Sequence, residues 1–265
     1  MQRTVSASEL CASLGVTAAT IRRDLETLEK EGILVRSHGG AVSRTPGATL
    51  RPSRDGTELA NQLEKVGIAR EAERLILDGE TIFLEASTTV VELARRLHHR
   101  NRLTVVTNSP PIICQLQRSP NVTVIATGGE LQKDASYLSG VWAQHALSEI
   151  RVDKAVIGVG AIDPVYGIST ATQAEAQLKR LILKSARVRI ALADHTKFGK
   201  QGFAFVGPVT DFDILITDSG IDAKHVSALR EAGLELIVTD LRSQTADAGR
   251  TASSKTRFRS GSPRH

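Results

Sequence analysis

Seven short apolar runs recur between residues 81 and 238, at Thr81–Leu84, Leu103–Thr107, Val122–Ala126, Lys154–Val159, Val188–Ala193, Ile214–Thr217 and Leu236–Val238. Helical patterns fall between several of them, at 89–99, 109–118, 139–150, 173–186 and 222–232, and another runs from Asn61 to about Leu77. Strands that alternate with helices predict an α/β body with a mostly parallel sheet covered on both faces. Aromatic residues are only 3% of the chain, so Val, Ile, Leu and Ala must fill its core.

In such sheets ligands sit outside the carboxyl ends of the strands, and that rule selects the loops to inspect. Glu85-Ala-Ser87-Thr88-Thr89 joins the first strand to a helix. Hydroxyls and free N–H groups at a helix start fit an anion such as phosphate; the same residues also fit a plain helix cap. Thr107-Asn108-Ser109, Thr127-Gly128-Gly129, Gly158-Val-Gly160-Ala-Ile-Asp163 and Asp194-His-Thr-Lys197 follow the next strands. Five small, hydroxyl-rich loops at successive strand ends point to one cavity for a small polyhydroxyl anion. Glu175 and Lys179, one helical turn apart, either line that cavity or form a surface i,i+4 ion pair.

Residues 6–40 have a different character. Ser6 with Glu9 fits a capping box ahead of a short helix to about Leu14, which Gly15 ends. Thr17 caps a second helix, on which Ile21, Leu25 and Leu28 form one apolar stripe. Thr20, Arg22, Arg23, Glu26 and Thr27 lie off the stripe. Two helices around a glycine turn, with Thr and Arg near the start of the second, match a helix-turn-helix, whose second helix enters the major groove. The Arg pair can neutralise phosphates or fork onto guanine, and Thr20 can touch a phosphate or a thymine methyl. Ile33–Arg36 and Ala41–Ser43 flank Ser37-His38-Gly39-Gly40 as a strand–turn–strand wing. His38 is a turn residue or a base reader, and Gly39 and Gly40 permit close approach to a sugar-phosphate backbone.

Charge follows this division. Residues 1–54 hold eight Lys/Arg and five Asp/Glu, a net +3; residues 55–240 hold 20 and 23, a net −3; residues 241–265 hold six and one, a net +5. A basic head suits a polyanion and a mildly acidic body does not. The two cysteines, Cys11 and Cys114, are far apart and expected as reduced thiols in the cytoplasm. No His/Cys cluster has metal-ligand spacing, and no cofactor is expected. No apolar stretch approaches the roughly 18 residues of a membrane span, and residues 1–20 lack a signal-like run.

Thr20-Ile-Arg-Arg-Asp-Leu25, Leu28-Glu29, Gly32, Arg36 and His38-Gly-Gly-Ala41 resemble the DNA-binding signature of the DeoR family of bacterial transcriptional regulators. The resemblance covers about residues 5–240. In the body it is carried by Ser87-Thr88-Thr89, Thr107-Asn108-Ser109, Gly128-Gly129, Val152-Asp153-Lys154-Ala155, Gly160 through Asp163, Glu175, Lys179, Ala193-Asp194 and Lys197-Phe198-Gly199. The body is thereby similar to that family's sensor domain, whose fold resembles ribose-5-phosphate isomerase.

The resemblance implies a winged helix-turn-helix head over 1–44, a linker over 45–60, a sugar-phosphate-sensing α/β domain over 61–240 and a disordered basic tail over 241–265. Family members carry a further helix before the segment that here begins at Val5, so a head lacking its first helix is expected, from a start codon set too late. The residues expected on operator DNA are Thr17, Thr20, Arg22, Arg23, Arg36, His38 and Gly39. Those expected on the effector are Ser87, Thr88, Thr89, Asn108, Gly128, Gly129, Gly160, Asp163, Glu175, Lys179 and Lys197. By resemblance the hydroxyl loop holds phosphate and Lys197 reaches the sugar. The family often has Gly where Ser87 stands, which narrows the pocket here.

The implied function is a repressor of carbohydrate-metabolism genes, working as a homo-oligomer, a dimer or tetramer, with no enzymatic activity. Two other functions fit parts of the chain. A sugar-phosphate isomerase could use Glu175 and Lys197, but Ser169-Thr-Ala-Thr-Gln173 replaces the Gly-rich loop expected near its base. A sensor or interaction module with a non-functional head is the other. The tail is either a solvated extension or a source of non-specific DNA affinity.

Overall fold

A computed structural model describes residues 4–7, 10–11, 16–30, 34–37, 40–43, 61–132 and 136–240. The chain divides into two compact units, Met1–Ser53 and Arg54–His265.

In the first unit helix α1 spans Ala18–Lys30. Thr17 begins it: its carbonyl accepts from Ile21 N at 3.1 Å and its hydroxyl from Thr20 N at 3.4 Å. Ile21 and Leu25 are buried against Ala7, Leu10 and Cys11, as the stripe predicts. Strands β2 (Leu34–Ser37) and β3 (Gly40–Ser43) form the expected wing, with Ser37 opposite Gly40. A third strand, β1 (Thr4–Ser6), pairs antiparallel with β3 and was not expected. Thr-Val-Ser has no readable period; its strand is defined by a partner almost forty residues on. Ala7, Leu10 and Cys11 are helical, while Glu9, Gly15, Gly32, His38 and Gly39 lie outside the described residues.

The second unit opens with α2 (Gln62–Arg74). Then come β4 (Thr81–Leu84), α3 (Thr88–Ala94), β5 (Leu103–Thr107), α4 (Pro110–Leu116) and β6 (Val122–Ala126). A hairpin, β7 (Glu130–Gln132) and β8 (Tyr137–Ser139), precedes α5 (Val141–Glu149) and β9 (Val152–Gly158). β10 (Ala161–Asp163), β11 (Gly167–Thr170), α6 (Gln173–Ser185), β12 (Ala186–Leu192) and β13 (Ala204–Gly207) follow. β14 (Ile214–Asp218), α7 (Ala223–Glu231) and β15 (Glu235–Thr239) complete the unit.

All seven apolar runs are strands of one sheet, ordered β15-β14-β12-β9-β4-β5-β6, and every pairing is parallel. Side chains alternate across it. Ile82 and Leu84 join Ile68, Ala72, Val90, Leu93, Ile112 and Leu116 from α2, α3 and α4 on one face. Phe83 joins Ala143, Leu147, Ala176, Ile182 and Leu229 from α5, α6 and α7 on the other. The sheet is therefore doubly wound.

The small elements differ from expectation. The helix expected at 139–150 starts at Val141, because Ser139 ends β8 and Gly140, at φ 86°, separates the two. β10, β11 and β13 make a second, antiparallel sheet that packs Ile162, Ile168, Ala204 and Val206 into the second core. Each strand has three or four residues, too few to display a period.

The chain leaves β4 towards β5 and β6, then crosses back to β9 on the other side of β4 and continues outward to β12, β14 and β15. The order reverses between β4 and β9, which makes their carboxyl ends the topological switch point.

Candidate functional site

On α1 the buried and exposed faces separate cleanly. Thr17, Thr20, Arg22 and Arg23 are exposed while Ile21 and Leu25 are buried. The Thr17 and Thr20 hydroxyls stand 3.0 Å apart, which fixes the Thr20 side chain at the helix start. Arg36 lies on β2 opposite Ala41; its side chain, like His38 and Gly39, is outside the described residues.

At the switch point three strand ends are tied together. Ser87 caps α3, its hydroxyl accepting from Val90 N at 3.3 Å, and Thr88 and Thr89 form the first turn. Asn108, fully buried after β5, accepts from Ala86 N at 3.1 Å through Oδ1. Its Nδ2 has no hydrogen-bond partner among the described residues. A buried amide donor without a partner is costly, and this one follows the carboxyl end of β5 beside the switch point. Gly158 ends β9 directly beneath Ser87: a Cβ there would come within 2.1 Å of Ser87 Oγ.

The centre of the cluster is Glu85, which stands in the first loop but is not among the residues expected on the effector. Its Oε2 accepts from Gly158 N at 3.1 Å and its Oε1 from Lys179 Nζ at 2.7 Å. Lys179 also donates to Gly158 O at 2.8 Å and lies 3.8 Å from Glu175. With 3% of Lys179 exposed, the pair it forms is not a surface one. Burial pushes the Glu85 carboxyl above its ordinary range, against the attraction of Lys179. Burial acts against the Lys179 ammonium too, but Glu85 and then Glu175 outweigh it and hold Lys179 above its ordinary value. Both groups are engaged by each other and by the β9 backbone. A signal existed in the sequence: an acidic residue placed directly after an apolar strand, among small residues.

One strand beyond β9, the β12 loop forms a second polar group. Asp194, buried, accepts from Asn61 Nδ2 and Thr196 N, each at 3.0 Å, and Lys197 Nζ stands 3.8 Å from its Oδ2. His195, also not among the expected residues, has Nδ1 2.8 Å from Oδ2 of the buried Asp218 at the end of β14.

The remaining expected residues serve the backbone. Gly128 and Gly129 have φ of 70° and 105°, and a Cβ on Gly129 would lie 2.2 Å from Ser139 O. They seat the β6 loop on the hairpin, two strands from β4. Gly160 passes close to β11, where a Cβ would stand 3.3 Å from Ser169 O. The Asp163 carboxylate accepts from Val165 N at 2.9 Å and Tyr166 N at 3.0 Å, closing the β10–β11 turn. The N–H of Tyr166 is the main reason its carboxyl is held below the ordinary range. Ser87, Thr88, Thr89 and Asn108 thus gather at the switch point, with Lys179 and Glu175 beneath through Glu85, and Lys197 lies two strands from Ser87. A cavity lined by Arg70, Glu71, Arg74 and Val238 sits at the β15 edge, away from the switch point.

A small winged head and a doubly wound body with a polar switch point define a class: DNA-reading regulators with a ligand-binding domain. The profile of the DeoR C terminal sensor domain matches residues 60–219, and that of the DeoR-like helix-turn-helix domain matches residues 1–46. An uncharacterised HTH-type transcriptional regulator of Bacillus subtilis, YulB, is 36% identical over 242 residues, 91% of this chain and 93% of its own. The HTH-type transcriptional repressor GlcR of the same organism is 35% identical, covering 89% of this chain and 90% of its own. A putative aga operon transcriptional repressor of Escherichia coli O157:H7 is 33% identical, covering 89% and 88%. A solved D-ribose-5-phosphate isomerase in complex with phospho-erythronic acid overlays 52% of this chain and 53% of its own, at 18% identity and a TM-score of 0.39. The chain belongs to the DeoR family and is a DNA-binding transcriptional regulator. Among the described residues no helix is long and apolar enough to cross a membrane.

Proposed function

We propose that this regulator represses carbohydrate-metabolism genes and is released from its operator by a phosphorylated sugar bound at the switch point. The observation that carries the reading is the buried Asn108: its Oδ1 accepts from Ala86 N in the Ser87 loop at 3.1 Å, and its Nδ2 has no hydrogen-bond partner among the described residues. Hydroxyls, the first N–H groups of α3 and the Asn108 amide offer donors to one phosphate. Lys197 stands two strand spacings away, ~10 Å, where the far end of a five- or six-carbon sugar phosphate reaches. Gly160, Glu175 and Lys179 shape the floor, and Gly128, Gly129 and Asp163 hold the surrounding loops.

On the head, Thr17, Thr20, Arg22 and Arg23 face the major groove, with Arg36, His38 and Gly39 on the adjacent backbone. The division is 1–44 for the head, 45–60 for a linker, 61–240 for the sensor and 241–265 for a basic tail. A homo-oligomer sets two heads on repeated half-sites, in the cytoplasm where the operator is. By linkage, an effector that weakens DNA binding binds the DNA-bound form more weakly by the same factor. The protein is not an enzyme in this reading. Isomerisation needs a carboxylate free to take a proton, and Glu175, the base in that reading, stands 3.8 Å from the Lys179 ammonium.

Thermal unfolding with a panel of sugar phosphates and their unphosphorylated parents tests this. A ligand at a hundredfold excess over Kd adds about 2.7 kcal/mol, and so raises Tm by roughly 5–10 °C in a chain of this length. The expected result is a shift with one sugar phosphate and none with its parent sugar. Equal shifts with both would remove phosphate from the account, and turnover of the sugar phosphate would replace it with an enzyme.

A further inference from the structure

The chain has one Trp, two Tyr and six Phe. Three of these nine stand exposed on the small sheet: Tyr166 is 66% exposed, Phe203 82% and Phe205 53%. Val165 beside them is 89% exposed. Phe83, Tyr137, Phe198 and Phe212 are buried, so the core does use aromatic residues where it has them. We infer that this aromatic face of the β10-β11-β13 sheet is the surface on which two copies of the chain associate.

The patch is built, not incidental. Along β13 the buried Ala204 and Val206 alternate with the exposed Phe205, and Phe203 precedes them in the same phase. Period-2 alternation places the Phe205 side chain on the face opposite the core, and Phe203, in the bend just before β13, is 82% exposed. The Phe205 ring lies over Gly167: a Cβ there would stand 3.0 Å from the ring, and Gly167 has φ 93°. Glycine therefore lets the ring approach the backbone of the residue that follows Tyr166. The turn that displays Val165 and Tyr166 is fixed by Asp163, whose carboxylate accepts both of their N–H groups.

Each outer strand of this sheet makes a contact beyond it, and the exposed face carries the aromatic side chains. Arg180 of α6 donates to Phe205 O along the outer side of β13. Ile162 of β10 bridges to Phe198 on the other side.

Area and charge favour a second copy as the occupant. At roughly 150–250 Å² per aromatic side chain, the exposed parts of Tyr166, Phe203 and Phe205 present on the order of 400 Å² of apolar surface. A standard interface takes about 800 Å² from each partner, with an apolar centre and a polar rim. The patch supplies the centre, rich in the Tyr and Phe that interface cores favour. A two-fold contact sets a surface against itself, so a patch of one charge sign would repel its copy. Here the patch residues are uncharged, and charges of both signs adjoin them, Asp163 at the Val165–Tyr166 turn and Arg180 at Phe205. The homo-oligomer is part of the function proposed above; the choice of this face is independent of the effector and of DNA.

Sedimentation velocity of the full chain tests the inference. The wild-type chain is expected to be a dimer or tetramer at micromolar concentration. Tyr166→Glu/Phe203→Glu should lower the assembly by one step, weakening self-association on the order of 100-fold or more. Trp142→Glu, at an exposed aromatic on α5 outside the patch, should leave that step intact. If the double variant misfolds by circular dichroism, Val165→Glu takes its place, since that side chain touches little of the core. A wild-type monomer, or a folded variant with the wild-type mass, would overturn the inference. A chain that assembles through this face yet ignores DNA and sugar phosphates would leave it standing and remove the regulatory reading instead.

Discussion

Ser87 occupies the space that a side chain on Gly158 would need. A Cβ on Gly158 would meet Ser87 Oγ at 2.1 Å and Ser87 Cβ at 2.2 Å. The two residues end neighbouring strands on either side of the switch point, so the first helix cap after β4 rests on the backbone of β9. This close packing makes the β4 loop sensitive to the β9 end, and any ligand that holds Ser87 also holds Gly158.

Gly158→Ala should therefore push the Ser87 loop out of place. Overpacking of this kind costs about 1–3 kcal/mol, and the effector concentration that releases DNA should rise about tenfold or more. DNA affinity without effector should stay the same. Ser87→Gly removes the colliding atoms, so Ser87→Gly/Gly158→Ala should recover much of the response that Gly158→Ala loses. Operator release, followed as a function of sugar phosphate, measures both. Equal failure of the single and double variants would mean that this packing does not shape the pocket.

Removing one member of the Glu85–Lys179 pair should be worse than removing both. Lys179→Met leaves a buried carboxylate without its cation, a change that typically costs about 3–5 kcal/mol. Glu85→Leu/Lys179→Met takes away both charges and should be clearly more stable than Lys179→Met alone. Urea unfolding of the three proteins gives the comparison. A Lys179→Met chain as stable as wild type would contradict the buried geometry.

These two sites show what was legible in the sequence. All seven strands of the large sheet were readable, because each is a short apolar run that needs no knowledge of its partners. Ser87, Thr88, Thr89 and Asn108 were readable because position after a strand is a sequence property. Lys179 was not. Four residues after Glu175 on a helix, it has the spacing of a solvated pair; its burial is decided by Glu85, ninety-four residues earlier. β1, the β7–β8 hairpin and the small sheet were hidden for a similar reason: short strands of mixed polarity are specified by distant partners.

Acid should weaken the fold through Asp163 and Asp213. Asp163 is held below its ordinary 3.8 chiefly by the N–H of Tyr166. For Asp213 burial acts upwards, but hydrogen bonds from Arg189, at 3.0 Å and 3.1 Å from the side chain and 2.7 Å from the backbone, outweigh it. A depressed folded value means that the unfolded chain binds more protons, so the stabilisation is present above 3.8 and is lost as pH falls through the folded values. Asp163→Asn and Asp213→Asn should flatten the fall in stability between neutral and acid pH, with little change in its alkaline limb. Urea midpoints across that range provide the check, and parallel curves for wild type and variants would refute the assignment.

Arg22→Ala and Arg23→Ala change exposed residues on α1, so the head should stay folded. Operator affinity should fall, and the slope of log affinity against log salt should drop by about 0.9 for each phosphate no longer neutralised. An unchanged slope with weaker binding would assign these arginines to base edges. Unchanged affinity and slope would take α1 out of the groove.

The most direct test of the central claim is fluorescence anisotropy of labelled DNA from the chain's own upstream region, titrated with the full chain with and without sugar phosphates. The account predicts salt-dependent binding that one sugar phosphate relieves and its unphosphorylated parent does not. DNA binding indifferent to every sugar phosphate, in a protein whose Tm those compounds also leave unmoved, would contradict it.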